Sequence, residues 1–431
     1  VHFADIRKYL GSRVFWLFVI LLVGTSVAQA SVSEFAANLQ QIEVALESID
    51  GNPEKPAFIK AADLDGDGSK ELIVSVFAGS SPMGAGFVAV YKLSDRSDLR
   101  GWKKTILPDS KGTKFPNAAT VADVNEDGRL DIIVPSGFLA TTPFNAGQIS
   151  WYENLGANHW KKHDVVVKQK LFYHHVELFD MNGDGIDDML TVGERLGATE
   201  VQYFAGKGRG VFATRPVVIY QNALGSLPTI YDVNQDGRPD LISAQYFVED
   251  CAAAWLENLG DGKWQKHFIN RESGPSIQLS LIPNLISDGR AMAVLANHVN
   301  SADKPQGPKE GVFVMPIPEK KSDIYNLWPA KMISEGIKSR PSPPMMPQGA
   351  PGVFAWGDIT GNGLIDIVVH GDGDPRAFLL EQVSSGQFET TVLIENVPQG
   401  GVEAADLDGD GNLEIIVSSY EANKLVILKR K

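Results

Sequence analysis

The sequence predicts an all-β chain, a seven-bladed β-propeller of four-stranded antiparallel blades with a short N-terminal helix. Three observations carry that expectation. An acidic segment, "ADLDGDGSKELIV" at residues 62–74, recurs along the chain. Each copy runs at once into β-type apolar residues, and each repeat holds four strand-like runs. Turn-forming stretches such as "LGAN" and "LGDG" separate the last two runs, as hairpins require.

The acidic runs begin at Asp63, Asp123, Asp180, Asp232, Asp358 and Asp406, with a worn copy, "PNLISDGRAMAVL", whose run starts at Asn284. In the second repeat "AATVA" precedes the loop and "LDIIV" follows it, then "GQISWYEN" and "WKKHDVVV" complete the blade. The fourth repeat reads "TIYDV", "PDLIS", "AAAWLENLGDG" and "KWQKHFI". One four-stranded unit cannot bury both of its faces, so neighbours stack and the ring closes. The seventh repeat stops after "NKLVILKRK", one strand short. The N-terminal segment can supply that strand, but "SVSEFAANLQQIEVALESI" reads as a helix. Phe35, Leu39, Ile42 and Leu46 share a face, and Ser31 with Glu34 fits a capping box. This helix is expected to pack on the last blade or the rim.

Ahead of it, Arg7, Lys8 and Arg13 flank the apolar run "VFWLFVILLV", and "AQA" at 28–30 is a small-x-small cleavage signal. The expected organisation is a signal peptide at 1–30, a helix and linker at 31–55, and the propeller at 56–431. The apolar run is short for a bilayer-spanning helix, so cleavage near Ala30 and a periplasmic or secreted chain, without stable membrane insertion, are expected. A net charge of −14 argues against a nucleic-acid partner, which needs a basic face. The single cysteine, Cys251, excludes an intrachain disulfide, so rigidity in an oxidising compartment must come from another crosslink.

The acidic loops suggest what that crosslink is. Alternating Asp or Asn, a glycine at position six and an acid at position nine bring hard oxygens to one point, which suits calcium. Positions one, three, five and nine offer side chains and position seven a carbonyl. An EF-hand is excluded: position twelve is Val74, Val134, Thr191, Ser243, Val369 or Val417 instead of glutamate, and the flanks are β-type.

This pattern resembles the FG-GAP or VCBS repeat family and is similar to the integrin α-subunit propeller; the "WYENLG…W…H" pair at 151–163 and 255–267 is typical of its bacterial secreted members. The resemblance covers about residues 56–430 and implies five to six structural calcium ions in the loops between first and second strands. The implied ligands are Asp63, Asp65, Asp67, Ser69 and Glu71 in blade one, and Asp123, Asn125, Asp127, Arg129 and Asp131 in blade two. Blade three offers Asp180, Asn182, Asp184, Ile186 and Asp188, and blade four Asp232, Asn234, Asp236, Arg238 and Asp240. Blade seven offers Asp406, Asp408, Asp410, Asn412 and Glu414. Position seven contributes its carbonyl in every set. Blade six, with Asp358, Thr360, Asn362, Leu364 and Asp366, is expected to bind more weakly. Blade five, with Asn284, Ile286, Asp288 and Met292, is expected to have lost its metal.

Ligand binding in such a ring is expected at the channel mouth on the opposite face. Loops there place His174, His175, Arg195, Tyr246, His298 and His370 as candidate catalytic or ligand-contacting residues, beside Glu194, Asp372, Asp374 and Arg376. They are equally the polar residues any exposed loop carries. His163 and His267 read as repeat-consensus residues on the outer edge, and Cys251 as a buried small residue. The proline-rich stretch 337–352 either covers part of the mouth or is a rigid linker. The leading expectation is a module that binds a protein or a carbohydrate; the alternative is a carbohydrate lyase or dehydratase acting through the His/Arg/Tyr group.

Overall fold

The runs of β-branched and aliphatic residues after each acidic loop form second strands buried on both faces, as in "DIIVPS" and "EIIVSS". Side chains alternate across a strand, so each second strand feeds two neighbouring interfaces. In Glu71–Ala78, Leu72, Val74 and Val76 pack toward blade seven and Ile73 toward blade two. The apolar core accordingly divides into seven clusters, one between each pair of adjacent blades.

A computed structural model describes residues 34–46, 53–78, 85–138, 145–248, 251–287, 289–344 and 348–431. The expected signal peptide, and Asp288 of the worn loop, lie outside the described residues. Seven antiparallel sheets follow one another, six with their main-path strands in chain order and the last completed by a strand from the chain's start. Blade one is Glu54–Ala62, Glu71–Ala78, Ala85–Leu93 and Trp102–Ile106. Blade five has an outer strand of only Lys331–Met332, which pairs through two residues. Hydroxyls tie one blade to the next: Ser75 Oγ donates to the Asn117 carbonyl of blade two at 2.6 Å, and Ser418 Oγ to the Ala57 carbonyl of blade one at 2.6 Å.

The N-terminal expectation is corrected here. Among the described residues of this segment the helical turn is Glu34–Ala37, and Leu39–Glu43 is a strand paired antiparallel with Lys424–Arg430, Ile42 lying opposite Ile427. It is the missing outer strand of blade seven. The helical stripe Phe35, Leu39, Ile42, Leu46 competes with the two-residue alternation of Ile42, Val44 and Leu46. An open sheet edge decides between them, because it offers backbone partners that an isolated short helix lacks. Ile42 and Val44 join the cluster between blades seven and one, while Phe35 and Leu39 pack on that between six and seven. Cys251 is buried among Leu224, Ala254 and Leu256, as expected.

Candidate functional site

The acidic loops of blades one to four share one internal geometry. The position-one aspartate accepts amides from positions five and six: Asp63 from Asp67 at 3.1 Å and Gly68 at 2.9 Å, Asp123 from Asp127 at 3.0 Å and Gly128 at 2.8 Å. Asp180 and Asp232 repeat both bonds. The position-six glycines have φ between 83° and 87°, the left-handed region that favours glycine. Position five accepts the amide of position seven, as Asp127 does from Arg129 at 3.0 Å and Asp236 from Arg238 at 2.9 Å. Both arginines also fold back, Nε donating to the Asn154 or Asn258 carbonyl at 2.6 Å and Nη2 to Asp127 or Asp236.

The position-nine acid is buried in every described loop that has one, at 0–2% exposure. Asp131 accepts from Val124 N at 3.0 Å and Asn154 N at 2.8 Å; Asp240 accepts from Val233 N at 2.9 Å and Asn258 N at 2.8 Å. It therefore pins the loop to the third strand, a role its spacing did not announce. Burial pushes the carboxyls of Asp131 and Asp240 up to about 6, with the amide bonds opposing the shift.

The donor set of blades two, three and four is all oxygen at positions one, three, five and nine, and it fits a hard cation. Convergence is most visible in blades one and seven, where one carboxylate oxygen each from Asp63, Asp65 and Glu71, and from Asp406, Asp408 and Glu414, lie within 4.8 Å of one another. There a cation already stands. Lys92 Nζ donates to Asp67 at 2.9 Å, Glu71 at 3.0 Å and Asp65; Lys429 Nζ donates to Asp410 at 3.0 Å and Asp408, and stands 3.4 Å from Glu414. Blade six is a poorer cradle: Thr360 Oγ1 donates to Asp366 at 2.9 Å, and Asn362 Nδ2 to the Gln382 carbonyl at 3.0 Å. Asn284 keeps only the turn, accepting from Gly289 N at 2.8 Å.

On the opposite face, second strands end and first strands begin. Three of the six candidates meet there. His174 stacks on Phe247 at 6.0 Å, Phe247 meets Tyr246 edge-on at 5.0 Å, and Tyr246 meets His298 edge-on at 5.2 Å. Phe138 and Phe172 extend the row at 4.9 and 5.1 Å from His174. His174 Nδ1 lies 2.5 Å from the fully buried Glu194, which also accepts from Ser226 Oγ at 3.2 Å. Burial pulls the His298 imidazole down to about 4, so it is neutral at physiological pH; Asp372 stands 3.7 Å from its Nε2, beyond hydrogen-bond range. A second arc joins Phe58, Phe77, Phe115 and Tyr420 at 5.2–6.2 Å.

The other three candidates stand apart. His175 Nε2 is 2.6 Å from Glu177 on its own strand. Arg195 is exposed at a hairpin tip. His370 is a core histidine, 1% exposed, with Nε2 at 2.6 Å from the Val397 carbonyl and Nδ1 buried without a partner. Asp374 and Arg376 pair with each other, and Asp374 accepts from Lys338 N at 2.8 Å, so they order the proline-rich stretch. The described residues of that stretch are held on this face: Asn300 Nδ2 donates to the Arg340 and Gln348 carbonyls at 2.9 Å, and Arg340 reaches Glu421 of blade seven at 2.6 Å. His163 and His267 stack on Trp151 and Trp255 at 4.3 and 4.6 Å, on fourth strands as expected.

Sequence reasoning missed the phenylalanines of the mouth and the two loop lysines. A signal existed for the lysines, since the third-strand runs "VAVYKL" and "LVILKR" carry Lys where blades two and four carry Glu153 and Glu257.

An FG-GAP-like repeat model matches residues 63–134, 180–243 and 358–417. The structure of BBS1N in complex with ARL6DN is similar over 91% of this chain and 97% of its own, at 11% identity and a TM-score of 0.51. An α-L-arabinanase of Penicillium chrysogenum complexed with arabinobiose aligns over 90% and 97%, at 10% identity and a TM-score of 0.46. The α-L-arabinofuranosidase Arb93A of Fusarium graminearum, with an iminosugar inhibitor, aligns over 90% and 97%, at 10% identity and 0.47. At 11% identity the likeness to BBS1N is one of fold. No curated protein matches the chain in sequence.

Proposed function

We propose, from the premise that this chain is a seven-bladed propeller of FG-GAP-like repeats, that it is an exported carbohydrate-binding module. Its acidic loops serve the scaffold, and calcium in blades two, three and four offsets carboxylates that would otherwise repel one another. The observation that carries the ligand assignment is the continuous row Phe138, Phe172, His174, Phe247, Tyr246 and His298. The part-exposed rings of Phe138, Phe247 and Tyr246 accept the apolar face of a sugar, and the part-exposed His174 imidazole at their edge fixes its hydroxyls, with Phe172 and His298 buried behind them. Glu194 and Asp372 beside the row disfavour an acidic sugar, so the ligand class is a neutral glycan.

The test is binding to an array of neutral oligosaccharides, then calorimetric titration of the best of them. Tyr246→Ala and Phe247→Ala are each expected to weaken affinity at least tenfold, about 1.4 kcal/mol. No retained sugar, or binding indifferent to both substitutions, overturns the proposal.

One observation favours a catalytic reading as the alternative. A buried carboxylate beside an imidazole, as Glu194 stands to His174, is how a general base is oriented. Turnover of the bound sugar by wild type but not by His174→Gln would make the module an enzyme, while binding without turnover leaves it a binder.

A further inference from the structure

The repeated loops divide into two classes according to the third-strand residue that faces position nine. Extending the observed register by one residue places Lys92 opposite Glu71 and Lys429 opposite Glu414. The same step places Glu153 opposite Asp131, Ala205 opposite Asp188, Glu257 opposite Asp240 and Glu381 opposite Asp366. The two lysine blades differ from the rest in two more ways: position three is Asp65 or Asp408 instead of Asn or Thr, and position nine is glutamate instead of aspartate. These changes fit together. The longer Glu71 and Glu414 still accept the position-two amide, from Leu64 at 2.8 Å and Leu407 at 2.9 Å. Their second oxygen turns to the ammonium, where Asp131 and Asp240 turn theirs to a third-strand amide.

The two lysine blades are also neighbours, on either side of the seam where the chain's first strand closes the ring. Their loops touch. Ser69 Oγ donates to the Leu407 carbonyl at 3.1 Å, and Arg96 pairs with Asp67 at 2.9 Å while lying beside Gly68 and Gly409. Six of the eight loop carboxylates, Asp65, Asp67, Glu71, Asp408, Asp410 and Glu414, thus meet three cations of the protein itself. A calcium ion at the point the ammonium occupies would stand beside a like charge, so lysine and metal exclude one another there.

We propose that Lys92 and Lys429 take the place of the divalent cation in blades one and seven, so that these loops bind no calcium and the seam is clasped by built-in charge. The contrast with blades two, three and four rests on the calcium reading given above. Blade seven, on one side of the seam, is completed by strand pairing between distant ends of the chain, and a covalent ammonium does not dissociate when calcium is scarce.

The test is equilibrium dialysis of the folded protein against calcium, with bound metal counted by atomic emission. Lys92→Met and Lys429→Met are each expected to bind one more calcium than wild type, and Lys92→Arg no more than wild type. Asp236→Asn, the reference for an occupied loop, is expected to bind one fewer. Methionine variants that bind no more metal than wild type overturn the inference, as does a wild type that loses one calcium on Asp65→Asn. If wild type binds none while the methionine variants gain, the lysine assignment stands and the calcium reading of blades two to four falls. If nothing binds in any variant, both fall.

Discussion

Replacing Ile42 by aspartate is expected to open the ring. Ile42 is 6% exposed and packs with Val44, Leu72, Leu425 and Ile427 in the cluster between blades seven and one. Removing its side chain alone costs about 2–5 kcal/mol, and a carboxylate left unpaired there adds to that. The sum is comparable with the whole stability of a domain, on the order of 5–15 kcal/mol. The urea midpoint should fall steeply, and the variant should show raised protease sensitivity at both ends of the chain. Gln41→Asp, one residue away on the exposed face of the same strand, should shift the midpoint by under about 0.5 kcal/mol. Equal effects of the two substitutions would mean that the segment does not close blade seven as a strand.

Calcium removal is expected to matter at neutral pH far more than at pH 5. The folded-state carboxyls of Asp131 and Asp240 sit at about 6, above the ordinary 3.8, because burial penalises their charge. A raised acid holds its proton more tightly in the folded chain than in the unfolded one. Without metal, stability from these groups is therefore present below about pH 4 and is lost as pH rises through about 6. Each shift amounts to about 3 kcal/mol at most. A bound divalent cation favours the ionised form and restores what neutral pH removes. Chelation at pH 7.5 is expected to lower Tm by on the order of 10 °C, and by much less at pH 5. A chelation effect of the same size at both pH values, or none at pH 7.5, would remove calcium from the account of blades two and four.

The acidic loops were legible because every constraint on them is local. Asp123 to Asp131 spans nine residues, and within it the aspartate that accepts two amides, the glycine at positive φ and the final acid each leave a mark at fixed spacing. The ring followed from the same repetition, since four short runs per repeat have few other ways to bury two faces. What lay outside those nine residues was harder to read. The partner of Asp131 on the third strand, Asn154 N, and the lysine facing Glu71 sit on the far side of a hairpin whose length varies from blade to blade.

The mouth was legible only in part. His174, Tyr246 and His298 were singled out as loop residues of the right chemistry, and they do form one row. His370 came from the same reasoning, yet its ring is buried against the Val397 carbonyl. Composition cannot tell an imidazole facing the channel from one facing the core. Phe77, Phe172, Phe247 and Tyr420 look like ordinary apolar residues until blades that are distant in sequence set their rings side by side.

The sequence by itself determined the repeat, the blade, the number of blades and the turn of the acidic loops, because those rest on hydrogen bonds and side-chain alternation between residues close in the chain. Tertiary structure alone decided the rest. It made Leu39–Glu43 a strand, since only an open edge at Lys424–Arg430 could outweigh a helical stripe. It also set Lys92 and Lys429 among the carboxylates and gathered the aromatic row, because a ring brings residues from different blades to one face by closing, and closure is a property of the whole chain.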